Sequence, residues 1–379
     1  MSQKTLKIGI DARMFSDAFT GIGRYNYELT KRLFTQKTLD GKKLEWVIFL
    51  NDPQFGEFDF PAQVKKVRVN AGHYSGAEQS KFLAQLYKEN CDLVHFTHFN
   101  LPLGYIKPFV VTIHDTTISF YPGKKMNAWW RKAAYGAVIR RAVRASRHII
   151  TVSAHTKSDV VKLFKANGDK ISPIHIAPSS EFKPVSEALQ QAVKQKYALT
   201  HEFLLYTGNW REHKNLVGLV KAFGVLKKDS QFKNLQLVIT GKEDPFYPEV
   251  KQTIKDLNLE ASIKLVGLVS IEDLVALFNA ATVYVCPSFY EGFGLPPIEA
   301  MGCGTPVATS NTASLPEVCG NAAAFFDPHN VDDMAQTIRS LLTNKSKRQK
   351  LQARGFEQIK NFSWDDCATQ TLAVYKGAL

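Results

Sequence analysis

Residues Pro287–Gly304 read PSFYEGFGLPPIEAMGCG and directly follow the apolar run Val283–Cys286. That order spells a buried strand, a glycine-containing loop and a helix opened by Pro296 and Pro297, since proline suits the first helical positions. Glu291 lies in the loop beside Gly292 and Gly294, and Glu299, after seven intervening residues, is expected in the first turn of the helix. Glycine lets a backbone approach a ligand closely, and a helix N-terminus offers N–H groups and a positive dipole end to an anion. A diphosphate lying over Phe293, Gly294 and Leu295 fits that geometry. Glu299 can then accept hydrogen bonds from a ribose diol and Glu291 from the hydroxyls of a sugar, because ionised carboxylates are strong acceptors for paired hydroxyls. The plain alternative is a carboxylate that complements a helix dipole and a second one on a surface loop.

The same rhythm runs through the whole chain. Strands are expected at Leu6–Asp11, Trp46–Leu50, Lys66–Val69, Leu93–Phe96, Phe109–Ile113 and His148–Val152, and again at Phe203–Thr207, Leu235–Thr240, Ile263–Val266, Val283–Cys286, Val307–Thr309 and Ala323–Phe326. Amphipathic segments such as Tyr25–Phe34, Glu78–Glu89 and Ala128–Arg144 lie between them. Continuously apolar strands alternating with helices predict parallel sheets covered on both faces, and two such series predict two doubly wound α/β domains. A length of 379 residues agrees, because single cores rarely grow beyond about 250 to 300 residues. The proline-rich stretch Pro173–Pro184 marks the join, giving domains 1–178 and 179–363, with a last helix near 364–379 expected to cross back to the first domain. Ligands of open α/β sheets bind beyond the carboxyl ends of the strands, so a cleft between facing domains is where chemistry is expected.

The formal net charge of +13 is unevenly placed. Residues 1–180 hold 27 Lys and Arg against 14 Asp and Glu, whereas the remainder holds 21 of each. The N-terminal half is therefore expected to face something anionic. Lys124–Arg147 concentrates eight of these bases with no acid and adds Trp129, Trp130 and Tyr135. A basic helix carrying aromatics suits an anionic membrane surface, although a core-packing helix with a solvated basic face has the same composition. The N-terminus lacks the apolar run of a signal peptide, and no stretch approaches the roughly 18 to 20 apolar residues that span a bilayer. Cys91, Cys286, Cys303, Cys319 and Cys367 are scattered, odd in number and without a Cys-x-x-Cys pair, as expected of small buried residues in a reducing, cytoplasmic setting.

Three further places can carry chemistry. Gly21 and Gly23 follow the first strand, but Asn26 stands where a dinucleotide fingerprint needs glycine or alanine. His114 ends the strand Phe109–Ile113, where a parallel sheet presents it to the cleft. In GNWREHKN, residues 208–215, Arg211 and Lys214 follow the first strand of the second domain and can reach a diphosphate. His95 and His98 also end a strand, yet no carboxylate or cysteine follows at metal-ligand spacing.

Together these segments resemble the family 4 glycosyltransferases, which carry a Glu-x7-Glu signature on the GT-B fold. The resemblance covers essentially the whole chain. GIDARMFSDAFTGIGRY at residues 9–25, VVTIHD at 110–115, TVSAHTKSDV at 151–160 and YTGNWREHKNL at 206–216 fall at the family's landmarks. The chain looks most like the bacterial mannosyltransferase B-like branch, which builds O-antigens and related glycans. The resemblance implies a retaining hexosyl transfer without a bound metal or other cofactor, from a nucleotide sugar (GDP-mannose first, UDP- or dTDP-sugars otherwise) to a glycan or polyprenyl-diphosphate-linked acceptor. It implies His114 beside the transferred sugar, Lys214 on the diphosphate, and Gly21 and Gly23 near the donor phosphates and acceptor. The related branch usually has Arg where this chain has His213, so Arg211 is expected to supply the guanidinium instead. No carboxylate nucleophile is apparent near His114. This agrees with what the resemblance implies, a retaining reaction without an enzyme nucleophile, and the expected course is front-face displacement, with the leaving diphosphate stabilised by Lys214, Arg211 and the helix N-terminus and helping to deprotonate the acceptor.

Rival readings remain in view. A sugar-nucleotide epimerase or a pyridoxal-dependent phosphorylase shares the architecture. A nucleic-acid-binding protein could use the basic half, but no helix-turn-helix, zinc or RNA-recognition signature is present.

Overall fold

The computed structural model describes residues 5–15, 21–126 and 128–379. Residues 16–20 of the first landmark lie outside the described residues. The chain separates into two compact units. One holds the chain up to Thr116, residues Met126–Ile176 and the C-terminal Ser363–Leu379; the other holds Thr117–Lys125 and Ala177–Phe362.

The first unit is built on β1 (Leu6–Asp11), β2 (Thr38–Leu39), β3 (Lys42–Leu50), β4 (Val64–Arg68), β5 (Leu93–Phe96), β6 (Phe109–Ile113), β7 (His148–Thr151) and β8 (Ile171–Pro173). The strands run in the order β2-β3-β1-β5-β6-β7-β8, with β4 also on β3. All pairings are parallel except the short β2–β3 hairpin. Ile8, Ile10, Val94, Val110 and Ile113 are fully buried, as a sheet covered on both faces requires.

The helix after β1 spans Gly21–Leu33. Gly21 and Gly23 therefore lie in its first turn and not in a loop. The C-terminal helix Trp364–Ala378 starts at Ser363, whose side chain accepts from the N–H groups of Asp365 and Asp366, a typical N-cap. It joins the first unit. Arg32 pairs with Asp365 at 2.6 Å, Tyr375 Oη lies 2.6 Å from His95 Nδ1, and Arg147 donates to the carbonyl of Ala378 at 2.6 Å.

The second unit contains β9 (Phe203–Thr207), β10 (Gln236–Thr240), β11 (Ile263–Gly267), β12 (Val283–Cys286), β13 (Val307–Ser310) and β14 (Ala323–Phe326), in the order β11-β10-β9-β12-β13-β14. Every pairing is parallel. Its core joins Leu204, Leu237, Val283 and Val285 from the strands to Leu216, Phe223 and Ile338 from the covering helices. The strand order reverses between β9 and β12, and in the first sheet between β1 and β5. Loops leaving the strands on either side of such a reversal part to opposite faces and open a crevice.

Lys124–Arg147 is not one basic element. Lys124 belongs to the second unit and pairs with Glu249 at 2.8 Å, while the helix itself is Trp129–Ala145 in the first. That helix buries Tyr135, Val138, Ile139, Ala142 and Val143, and leaves Trp129, Trp130, Arg131, Lys132, Arg140 and Arg144 exposed. Arg141 is committed to the carbonyls of Leu103 and Tyr105.

Candidate active site

In the second unit the reversal brings together the two loops singled out in the sequence. The loop after β9 carries Gly208–Asn215, and the loop after β12 carries Pro287–Gly294. Backbone and amide bonds join them: Phe289 N–H donates to the carbonyl of His213 at 2.7 Å, and Asn215 Nδ2 donates to the carbonyls of Pro287 and Pro328 at 3.0 and 2.9 Å. Asn215 takes a left-handed conformation, φ 53°, which asparagine tolerates better than most residues.

Between the loops, Lys214 Nζ lies 2.7 and 2.8 Å from the two carboxylate oxygens of Glu291, and Ser288 Oγ donates to Oε1 at 2.7 Å. The side chains of Lys214 and Glu291 are only 21% and 13% exposed. Burial pushes the Glu291 carboxyl up, but the Lys214 ammonium, the His213 ring and the Ser288 hydroxyl outweigh it and hold it below the ordinary carboxylate range. Glu291 is thus an ionised acceptor inside a tightly fixed turn, with its own carbonyl receiving Ser314 Oγ at 2.9 Å.

Beyond that turn the chain enters the helix Leu295–Gly302 through Gly294, φ 94°. A Cβ at Gly294 would stand 2.7 Å from Leu315 Cδ2, so both backbone conformation and space require glycine. The helix begins one residue before its prolines. Glu299 therefore lies in the second turn, not the first, and is buried. Pro296 and Pro297 carry no N–H, so the helix opens on the amide hydrogens of Gly294 and Leu295, with that of Phe293 just before them.

Arg211 does not join this group. Its guanidinium is half exposed and pairs with Asp244, in the loop after β10, at 3.1 Å. The side chain whose charge acts on Glu291 besides Lys214 is His213, the residue standing where the related branch usually has Arg. Sequence reasoning also missed Ser288 and Ser314. Small hydroxyls in a loop give no signal until the carboxylate they serve is located.

In the first unit, His114 Nε2 lies 2.8 Å from the carbonyl oxygen of Thr97 in the loop after β5. A carbonyl only accepts, so Nε2 carries the proton and Nδ1 is the acceptor nitrogen. Burial lowers the affinity of His114 for a second proton, outweighing the Thr97 carbonyl and Asp115, so the ring is neutral near pH 7. Tyr25, from the first helix, meets it edge-on with ring centroids 4.8 Å apart. Tyr25 Oη lies 3.0 Å from Thr112 Oγ1, which lies 2.8 Å from His95 Nε2, while His95 Nδ1 faces Tyr375 of the C-terminal helix. Burial depresses His95 to about 3. Both its nitrogens face hydroxyls, so it is a structural neutral histidine. Among the described residues, no group of three or more His, Cys, Asp or Glu is arranged to hold a metal ion, and no helix is long and apolar enough to cross a membrane.

Comparison with known proteins agrees with this architecture. Residues 19–177 match the Glycosyltransferase Family 4 domain and residues 190–358 match the Glycosyl transferases group 1 domain. The O-antigen chain mannosyltransferase B of Escherichia coli is 32% identical over 94% of this chain and 96% of its own length. The O-antigen chain mannosyltransferase RfbU of Salmonella typhimurium is 29% identical over 66% of this chain and 65% of its own. Among solved structures, sucrose-phosphate synthase from Thermosynechococcus elongatus superposes with a TM-score of 0.79 at 20% identity, covering 98% of each chain. Two reversed-order parallel sheets, the Glu-x7-Glu loop and helix, and near full-length similarity place this chain in the family 4 glycosyltransferases.

Proposed function

We propose that this glycosyltransferase moves mannose from a nucleotide sugar, GDP-mannose first among the candidates, onto a glycan or lipid-linked acceptor in cell-surface polysaccharide synthesis. We further propose that it retains the anomeric configuration and needs no metal. One observation carries the reading: the loops at the carboxyl ends of β9 and β12 bring Lys214 against an ionised Glu291, four residues ahead of a helix that opens on two prolines. Lys214 and the N–H groups of Phe293, Gly294 and Leu295 take the diphosphate, Glu299 the ribose, and Glu291 the hydroxyls of the transferred sugar. The mannosyl specificity is taken from the two O-antigen relatives named above.

In this reading the reaction is a front-face displacement. The sugar–phosphate bond breaks as the acceptor oxygen attacks from the same side, and a diphosphate oxygen takes the acceptor proton. Lys214 offsets the charge that develops on the leaving group. His114 accepts a sugar hydroxyl at Nδ1 while its Nε2–H remains on Thr97. Gly21 and Gly23 present the first-turn N–H groups of their helix to phosphate or acceptor. Arg211, whose Nη1 pairs with Asp244, reaches the diphosphate only through its remaining N–H groups or by leaving that partner. The test is the anomeric configuration of the product by NMR, from GDP-mannose and a mannose-terminated acceptor with EDTA present. An α-linked product supports the reading; a β-linked product, or loss of transfer with EDTA, contradicts it.

We also propose that the exposed face of Trp129–Ala145 rests on an anionic lipid surface. Trp129 and Trp130 are 80% and 55% exposed, four exposed bases accompany them, and residues 124–147 contain no acid. A lipid-linked acceptor would be met at that surface.

A further inference from the structure

The connection from β6 to the helix Trp129–Ala145 starts and ends in the first unit, but its middle, Thr117–Lys125, belongs to the second. The segment begins three residues after His114 in the chain and carries a short helical turn, Thr117–Phe120. Two consecutive aromatic rings attach it. Phe120 packs on Tyr290 with centroids 5.3 Å apart, and Tyr121 lies parallel to Phe289, 6.1 Å apart with 12° between the planes. Phe289 is also parallel to His329, 4.6 Å away with 16° between planes. Tyr121 further neighbours the His213 ring at 6.2 Å, and the Lys124–Glu249 ion pair anchors the far end of the segment.

Phe289 and Tyr290 immediately precede Glu291. The turn that presents the Glu291 carboxylate is therefore fixed from within by Lys214, Ser288 and Ser314, and on its aromatic side by rings from an excursion of the chain. Placement matters here, because a shift of about 1 Å in a group that holds substrate can cost a hundredfold in rate. We propose that Tyr121 and Phe120 are positioning residues for glycosyl transfer, acting through Phe289 and Tyr290 on Glu291. This rests on the reading of Glu291 as the residue that holds the transferred sugar. The tyrosine hydroxyl is not required; the ring plane is.

The test is a double-mutant cycle on the full-length enzyme using Tyr121→Leu, Tyr121→Phe and Glu291→Gln, with transfer from GDP-mannose and binding of GDP measured side by side. Tyr121→Leu keeps an apolar side chain but removes the stacked ring. The expected result is a loss of about tenfold in kcat for transfer with Tyr121→Leu, a GDP Kd within twofold of the parent, and recovery to within threefold with Tyr121→Phe. In the Glu291→Gln background, Tyr121→Leu should add no further loss, since residues acting through one another are not additive. Multiplicative losses, no loss with Tyr121→Leu, or a parallel loss of GDP binding would each overturn the positioning role. A Glu291→Gln enzyme that transfers normally would instead overturn the reading of Glu291 itself, and the proposal with it.

Discussion

Lys214 and Glu291, 77 residues apart in sequence, form a two-pronged ion pair in which one ammonium contacts both oxygens of one carboxylate at 2.7 and 2.8 Å. The two groups hydrogen-bond each other. In the proposed reading, Lys214 turns one of its three hydrogens to the donor phosphate while Glu291 accepts a sugar hydroxyl, so the pair would be a preset frame.

If Lys214 holds the leaving diphosphate as proposed, Lys214→Ala removes that cation, and it strands a mostly buried carboxylate. Transfer should fall by about a hundredfold or more. Thermal unfolding should show a loss of roughly 1–3 kcal/mol. Lys214→Arg, which keeps the charge in a larger planar head, should recover the stability more fully than the rate. Steady-state kinetics alongside calorimetry checks both.

The pair also sets a pH dependence. The Glu291 carboxyl lies below its ordinary value of 4.5 in the folded protein. A depressed carboxyl contributes stability that is complete above the unfolded value and is lost as pH falls through the folded one. The melting temperature of the parent should therefore decline more steeply below about pH 4.5 than that of Glu291→Gln. Identical slopes would show that the ion pair does not stabilise the fold.

Histidines of the first unit act in a higher window. Burial lowers His73, His95, His98 and His114 from the ordinary 6.5. The unfolded chain then binds more protons than the folded one just below pH 6.5, so stability should drop as pH falls from 6.5 towards 5. The slope of melting temperature against pH should correspond to net proton uptake on unfolding. A flat profile across that window would contradict the buried neutral histidines.

Gly294→Ala places a Cβ 2.7 Å from Leu315 Cδ2 at a residue with φ 94°. A stability loss of about 1–3 kcal/mol is expected. Binding of a nucleoside diphosphate should weaken with it, because the N–H groups of residues 293–295 shift. Thermal unfolding with and without GDP separates the two effects.

If Trp129–Ala145 meets anionic lipid, Arg140→Gln with Arg144→Gln should weaken association with phosphatidylglycerol vesicles by about thirtyfold, at roughly 1 kcal/mol per base. Trp129→Ser with Trp130→Ser should weaken it again, and neutral vesicles should bind neither protein. Equal flotation of parent and variants would remove this face from contact with the bilayer.

Much of this architecture was legible because the strands are short, continuously apolar and regularly spaced by helices. The strands β2 and β8 escaped notice because two or three residues give no periodicity. The glycine-proline context marked Glu291 and Glu299, yet the turn of Glu299 depended on Leu295 entering the helix before the prolines. Charge pairing was less legible. Arg211 and Lys214 look equivalent three residues apart, and only the folded loops direct one to Asp244 and the other to Glu291. Thr117–Lys125 was opaque for a similar reason: Phe120 and Tyr121 announce aromatic contacts but not the unit that supplies the partner rings, and Phe120 stays 47% exposed.

Ligand-dependent thermal unfolding of the parent and of Glu299→Ala, against GDP, UDP, dTDP and ADP and their sugars, tests the donor site most directly. One nucleotide series should stabilise the parent, by about 2.7 kcal/mol at a hundred times its Kd, and should stabilise Glu299→Ala far less. No stabilisation of the parent by any of them at millimolar concentration, or an equal response from Glu299→Ala, would contradict a nucleotide-sugar site at the Glu291–Glu299 loop and helix.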